Sequence, residues 1–327
     1  MFSHVAVASL LAFSSVLGDC TGLPPGDMKD PHYWGDYMMD KYADDRAVSM
    51  QLLDTPPAPL ATPRTVLLIT GVTIPAASFD PIKLRLERDG FKTVVYEPPD
   101  LLSGDLFENS DRIKQVVDQI VATSGETKID ILAECTGGLI ARHYIQALGG
   151  DEHVHRLVTF ISPQHGIEKA PLAAAYAQWP ALYDLSPGSA FLETVNNEPL
   201  PPTVDVTSVY TCTDEYIQPY TTSIIPGATN IGVGCNGEFI GHFDFFYNTD
   251  LYRVMHDALV KPLTHPDPVV PPTQDPTPQD PMPVPGDDQV DATMDAGGGC
   301  SAGGDAGFGV MLLIAAACTV RRYRALR

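Results

Sequence analysis

Positive charge is scarce in this sequence: 20 Lys and Arg stand against 41 Asp and Glu, a formal charge of −21 over 327 residues. A surface of that sign repels phosphate backbones and anionic lipid heads, so nucleic-acid binding is excluded as a function class. Cysteine is scarce too, with six in the chain and none in a paired Cys-x-x-Cys spacing. That removes a disulfide-built scaffold and gives a structural zinc site no support, so neither metal nor cofactor is expected. The chain lacks an apolar run of the roughly 20 residues that an ordinary membrane-spanning helix uses, and it has no internal repeat. It is not short of apolar residues, however: 44% are hydrophobic and 19% charged, which rules out full disorder and supplies a sizeable core.

The ends differ in composition from the middle. Residues 1–18 read as a signal peptide, with an uncharged, mostly apolar run from Val5 to Val16 and a cleavage point after Gly18. Export follows. Lipidation at Cys20 is the weaker reading, because Asp19 stands where a small residue is wanted. Residues 19–60, rich in Asp, Pro and Tyr without a sustained period, read as an irregular arm laid over the domain. Ten of the thirty prolines fall between Pro262 and Pro285, so residues 262–296 form a solvated, disordered stalk that cannot bury a core. Residues 297–327 contain Gly297, Gly298, Gly299 and Cys300, an apolar stretch from Ala306 to Val320, and Arg321, Arg322, Arg324 and Arg327. As a helix that stretch reaches about 22 Å, short of the roughly 30 Å hydrocarbon layer. This tail resembles myxobacterial-type C-terminal sorting signals (MYXO-CTERM). The resemblance implies processing near Cys300 and display at the cell surface; an ordinary short transmembrane tail anchor is the plainer alternative.

Residues 61–261 carry the folded domain. Thr65 to Thr70 is a continuous apolar run stopped by Gly71, the pattern of a strand buried on both faces. A helical segment through Ile82, Leu84 and Leu86 closes at Asp89-Gly90, and Lys92 to Tyr96 is a second strand. Ser110 is read as the cap of a helix with apolar positions at Ile113, Val116, Val117, Ile120 and Val121, and Lys128 to Ala133 is a third strand. Strands alternating with helices predict an α/β fold, a mainly parallel sheet with helices on both faces. The third strand runs into Ala133-Glu134-Cys135-Thr136-Gly137-Gly138 and then a helical segment. Small residues on either side of a nucleophile, between a strand and a helix, are the signature of a nucleophile elbow. The helix N-terminus there offers N–H groups to developing negative charge.

At this point the chain resembles the α/β-hydrolase superfamily, within it the class 2 lipases and the fungal lipase B type, from about Val66 to Leu259. Beyond the elbow, the likeness rests on Ile69 to Thr73, Ser78-Phe79-Asp80, Phe160 to Gly166, Leu185 to Leu192, Thr213 to Pro219 and Gly241-His242. It implies a catalytic set in the chain order nucleophile, acid, histidine: Cys135, Asp214 and His242. Glu215 and Asp244 compete for the acid. The backbone N–H groups of Val72 and Thr136 are the expected oxyanion hole, with Gly71 the alternative in the first loop and the Thr73 hydroxyl an addition. Residues from Ala170 to Leu200 are expected to cover the pocket, as a mobile lid or a fixed cap. In an exported protein Cys212 and Cys235 are expected to form a disulfide bracing the acid and histidine loops, two buried thiols being the alternative.

The departure from the lipase pattern is Cys135, where those families carry serine. Thiol nucleophiles occur in dienelactone hydrolases and in polyhydroxyalkanoate synthases, whose Gly-x-Cys-x-Gly-Gly box Ala133 to Gly138 nearly reproduces. The expectation is an exported, monomeric, lipase-like esterase acting on esters or lipids with apolar acyl chains through a thioester intermediate, and attached to membrane through its tail. The alternatives are an acyltransferase and an inactive surface binding protein on a lipase scaffold. A carboxylate at Glu134 would disfavour a thiolate if its side chain turned inward.

Overall fold

The computed structural model describes residues 23–265. The expected signal peptide, stalk, Cys300 and C-terminal anchor lie outside the described residues. Within them, two helices come first, α1 (Pro31–Lys41) and α2 (Ala43–Ser49), followed by β1 (Thr65–Ile69), α3 (Asp80–Arg88), β2 (Lys92–Tyr96), α4 (Leu106–Ser124), β3 (Ile129–Glu134), α5 (Thr136–Ala147) and β4 (Val154–Phe160). Three short helices, α6 (Ala170–Ala177), α7 (Pro180–Asp184) and α8 (Ala190–Asn197), precede β5 (Asp205–Thr211) and β6 (Thr229–Val233). The described chain then ends in α9 (Asp244–Tyr247) and α10 (Thr249–Val260). No helix among the described residues is long and apolar enough to cross a membrane.

All six strands are parallel, in the order β2-β1-β3-β4-β5-β6. The sheet is covered on both faces, as the alternating pattern predicts. Successive β1 residues face opposite cores: Leu67 and Ile69 pack with Ile113, Val117 and Leu139, while Val66 and Leu68 pack with Leu86, Phe246, Met255 and Leu259. From β1 the chain steps to β2 on one side, then crosses back to β3 on the other. The direction of winding therefore reverses between β1 and β3, and a crevice opens at their carboxyl ends, where ligands of such sheets bind.

Two sequence expectations are corrected. The arm expected to be irregular carries the helices α1 and α2: Asp30 caps α1 by accepting the His32 N–H at 2.9 Å, and Pro31 opens the helix. Its apolar side chains do follow a helical spacing, Trp34, Tyr37, Met38 and Tyr42, but one too short and too aromatic to stand out. The helix at 106–124 is capped by Asp105, which accepts the Glu108 N–H at 3.0 Å. Ser110 sits inside it, its hydroxyl donating to the Leu106 carbonyl at 2.8 Å. Competition between two residues with N-cap chemistry is decided by where the chain turns, not by side-chain type.

The opposite end of the sheet is held by Asp130. Its carboxylate, fully buried, accepts from Arg64 at 2.9 Å and from Arg156 at 3.3 Å. The same guanidiniums donate to the carbonyls of Leu259 and Lys261, both at 2.7 Å, tying the end of α10 to the sheet. Burial pushes the Asp130 carboxyl up and the two arginines oppose it. Asp130→Ala strands the buried Arg156, so unfolding in urea should show a loss of about 3 kcal/mol; an unchanged midpoint would refute this role.

Candidate active site

Cys135 stands between β3 and α5 with φ 47° and ψ −122°, a strained conformation for a residue with a side chain. Its N–H donates to the Phe160 carbonyl at 3.0 Å, and its carbonyl accepts from the Ser162 hydroxyl at 2.6 Å. These bonds hold the turn from both ends. A Cβ at Gly137 would lie 2.8 Å from the Ile69 carbonyl oxygen, so helix α5 approaches β1 this closely only with glycine there. The tight turn lifts Cys135 to the crevice at the reversal point, yet it remains only 7% exposed.

Two loops at the same sheet edge bring Asp214 and His242 together. Asp214 Oδ1 accepts the backbone N–H groups of Tyr216 and Ile217, both at 2.8 Å, which fixes the carboxylate and leaves Oδ2 to face His242 Nδ1 at 2.8 Å. The rings of Tyr216 and Phe243 pack edge-on against the imidazole. Glu215, the competing acid, accepts the His242 backbone N–H at 2.9 Å instead of bonding the ring. Asp244 accepts the Gly241 N–H at 2.8 Å, so it shapes the loop without reaching the ring. Cys212 and Cys235 are bonded as a disulfide between β5 and the segment after β6, and Thr211 donates to the Ile240 carbonyl at 2.9 Å. The acid loop and the histidine loop are therefore cross-linked on both sides.

The side chain with the most influence on this chemistry is Glu134. It is fully buried and turned inward. Its Oε2 accepts the Gly71 N–H at 2.5 Å and its Oε1 lies 3.4 Å from His242 Nε2. Gly71 is required: a Cβ there would lie 2.7 Å from that of Cys135. Burial, and then the Glu134 charge, push the Cys135 thiol up. Burial disfavours an imidazolium, but Asp214, with smaller contributions from Cys135 and Glu134, raises His242 well above its ordinary value. The surroundings thus make the thiol hold its proton more tightly and the imidazole accept one more readily. Sequence alone places Glu134 beside the thiol; its inward turn depends on Gly71, 63 residues away.

Of the candidate oxyanion donors, Val72 faces the space above the thiol. Val72, Cys135 and His242 all line one cavity of about 220 Å³. In the loop after β1, the Gly71 N–H is taken by Glu134 and the Thr73 N–H by the Leu101 carbonyl at 2.7 Å. Thr136 opens α5, its hydroxyl 3.7 Å from Cys135 Sγ. The cavity walls are mostly apolar, and besides the loops that carry the site they come from the segment through α6 and α7, with Ala173, Trp179 and Leu182, and from the N-terminal arm, with Trp34, Tyr37 and Met38. Trp179 Nε1 donates to the Lys29 carbonyl at 2.7 Å, and the Lys29 ammonium sits 5.4 Å from the centre of the Tyr176 ring. The arm and the segment over the pocket form one cover. No local pattern in the sequence signals that the arm lines the pocket.

Known proteins resemble this chain in sequence and in fold. The model of a family described as palmitoyl protein thioesterase matches residues 102–196, the stretch holding the elbow. The chain is 29% identical over 171 residues to lipase B of Pseudozyma antarctica, covering 50% of this chain and 49% of that protein. It thus spans about half the length of that curated relative. Among solved structures, the mature form of Bacillus licheniformis lipase BlEst2 superposes with a TM-score of 0.52 at 16% identity, over 63% of this chain and 96% of that one. Aspergillus fumigatus lipase B does so with a TM-score of 0.53 at 18% identity, over 62% and 55%. With the six-stranded parallel sheet, the elbow after β3 and the crevice at the reversal point, these matches show that the chain has the α/β-hydrolase fold of lipases and esterases.

Proposed function

We propose that this protein is an exported hydrolase of carboxylic esters with apolar acyl chains, using Cys135 as nucleophile, His242 as base and Asp214 as its partner. The observation that carries the reading is the convergence of Cys135, His242 and the Asp214–His242 hydrogen bond under an apolar cavity. In the reaction His242 takes the Cys135 proton and sulfur attacks the ester carbonyl. The oxyanion is held by the N–H groups of Val72 and Thr136. Collapse breaks the carbon–oxygen bond, the imidazolium protonates the departing alcohol, and a thioester remains. His242 next removes a proton from water, hydroxide adds to the thioester, and carboxylic acid and thiol are released. The apolar walls accommodate an acyl chain and offer little to a charged one. On this reading the C-terminal tail displays the domain at the cell surface.

Hydrolysis of short and medium p-nitrophenyl esters tests this. Wild type should turn over with a preference for the apolar acyl chains, and Cys135→Ala should fall to the uncatalysed rate. An inactive wild type, or a Cys135→Ala variant as active as wild type, would overturn the proposal. Gain of turnover only in Cys135→Ser would mark the natural protein as a non-hydrolase on this scaffold.

A further inference from the structure

Glu134 leaves something over. Its Oε2 is anchored by Gly71, but Oε1 is buried without a hydrogen-bond partner, and at 3.4 Å from His242 Nε2 it makes an ion-pair contact rather than a well-directed bond. A buried, unpartnered carboxylate oxygen is costly unless something occupies the space before it. Cys135 Sγ, a Glu134 carboxylate oxygen and a His242 ring nitrogen all lie within 4.8 Å of one another, and all three residues are buried. Around a tetrahedral zinc ion, bonds of about 2.0 to 2.3 Å put such donors about 3.3 to 3.8 Å apart. The Glu134–His242 distance already fits, and the remaining approach is within side-chain adjustment.

We propose that Glu134, Cys135 and His242 form a three-ligand site for one divalent cation of the zinc class, and that its occupation blocks the thiol. Asp214 supports it from behind: by accepting from Nδ1 it leaves Nε2 as the free ligand nitrogen. On binding, the Cys135 thiol gives its proton to solvent and a sulfur–metal bond forms, with no change of oxidation state. Thiolate and carboxylate together neutralise the ion, so the complex places no net charge in the apolar cavity. The fourth position opens to that cavity. This chemistry would also keep a thiol reduced outside the cell. Metal binding stands independently of ester hydrolysis; only its inhibitory consequence rests on that reading.

The test is titration of the purified, chelator-stripped full chain with Co²⁺, read as thiolate-to-cobalt charge-transfer absorption. One equivalent should generate the band, Zn²⁺ should displace it, and Cys135 should become resistant to iodoacetamide. Cys135→Ala should abolish the band despite the other cysteines. Glu134→Gln, which keeps an amide oxygen for the Gly71 N–H, should weaken binding at least about tenfold. Absence of the band, its persistence in Cys135→Ala, or undiminished affinity in Glu134→Gln would each overturn the site. Ester turnover of the metal-free protein reports separately on the hydrolase: a cobalt band without turnover retains the metal site and removes the proposed function.

Discussion

Glu134→Gln should raise the rate at which iodoacetamide alkylates metal-free Cys135 by about tenfold to a hundredfold at neutral pH. Two unit charges 4 Å apart interact by about 4 kcal/mol at the effective dielectric of protein sites, and the carboxylate lies within 4.8 Å of the sulfur. Even a third of that energy is worth a factor of about ten. Glutamine keeps the shape of the side chain and the acceptor for Gly71, so charge is the variable. The readout is the mass of the Cys135 peptide against time, which separates this thiol from the others in the chain. In wild type the rate should climb with pH through the neutral range, because burial and Glu134 push the thiol up. A Glu134→Gln protein that labels no faster than wild type would show that Glu134 does not restrain the thiol.

The second large effect is expected for Asp214→Asn. Two backbone N–H groups, those of Tyr216 and Ile217, hold Oδ1 in place at 2.8 Å. In the asparagine variant that position keeps the amide oxygen, so the NH₂ group must face His242. Donation from that NH₂ makes Nδ1 an acceptor and puts the ring proton on Nε2, the nitrogen that must accept the proton from Cys135. The wrong tautomer is thus imposed by main-chain hydrogen bonds, and kcat on esters should fall by about three to four orders of magnitude. The Asp214 turn and the fold should survive, seen as an unfolding midpoint close to wild type. Loss of activity together with loss of the fold would point to a structural role, and activity within about threefold of wild type would remove Asp214 from the mechanism.

Much of this was legible in the chain itself. The runs at 65–70, 92–96 and 128–133 correspond to β1, β2 and β3; β1, buried at every position, has no polar side to interrupt it, whereas the edge strand β2 is only half-buried. The elbow was legible for a steric reason: Gly137 answers a contact with β1 that no side chain can share. The acid could be narrowed to neighbours but not assigned from composition, since Asp214, Glu215 and Asp244 are all carboxylates close to the histidine. Loop geometry separates them, because Asp214 bonds the ring, Glu215 the His242 N–H and Asp244 the Gly241 N–H.

By itself, then, the sequence determined the layering of the domain and the strand-turn-helix around Cys135. Each depends on local spacing or steric size, and those survive in one dimension. Tertiary structure alone decided that Glu134 turns toward His242, because that orientation depends on an N–H at the end of a different strand. It also decided that the N-terminal arm walls the cavity, since Trp34, Tyr37 and Met38 meet Cys135 across about a hundred residues of chain. The scarcity of positive charge has a local counterpart at the thiol. Around it stand two carboxylates and one imidazole, and the balance among those three groups, set by distances of a few ångströms, governs what Cys135 does.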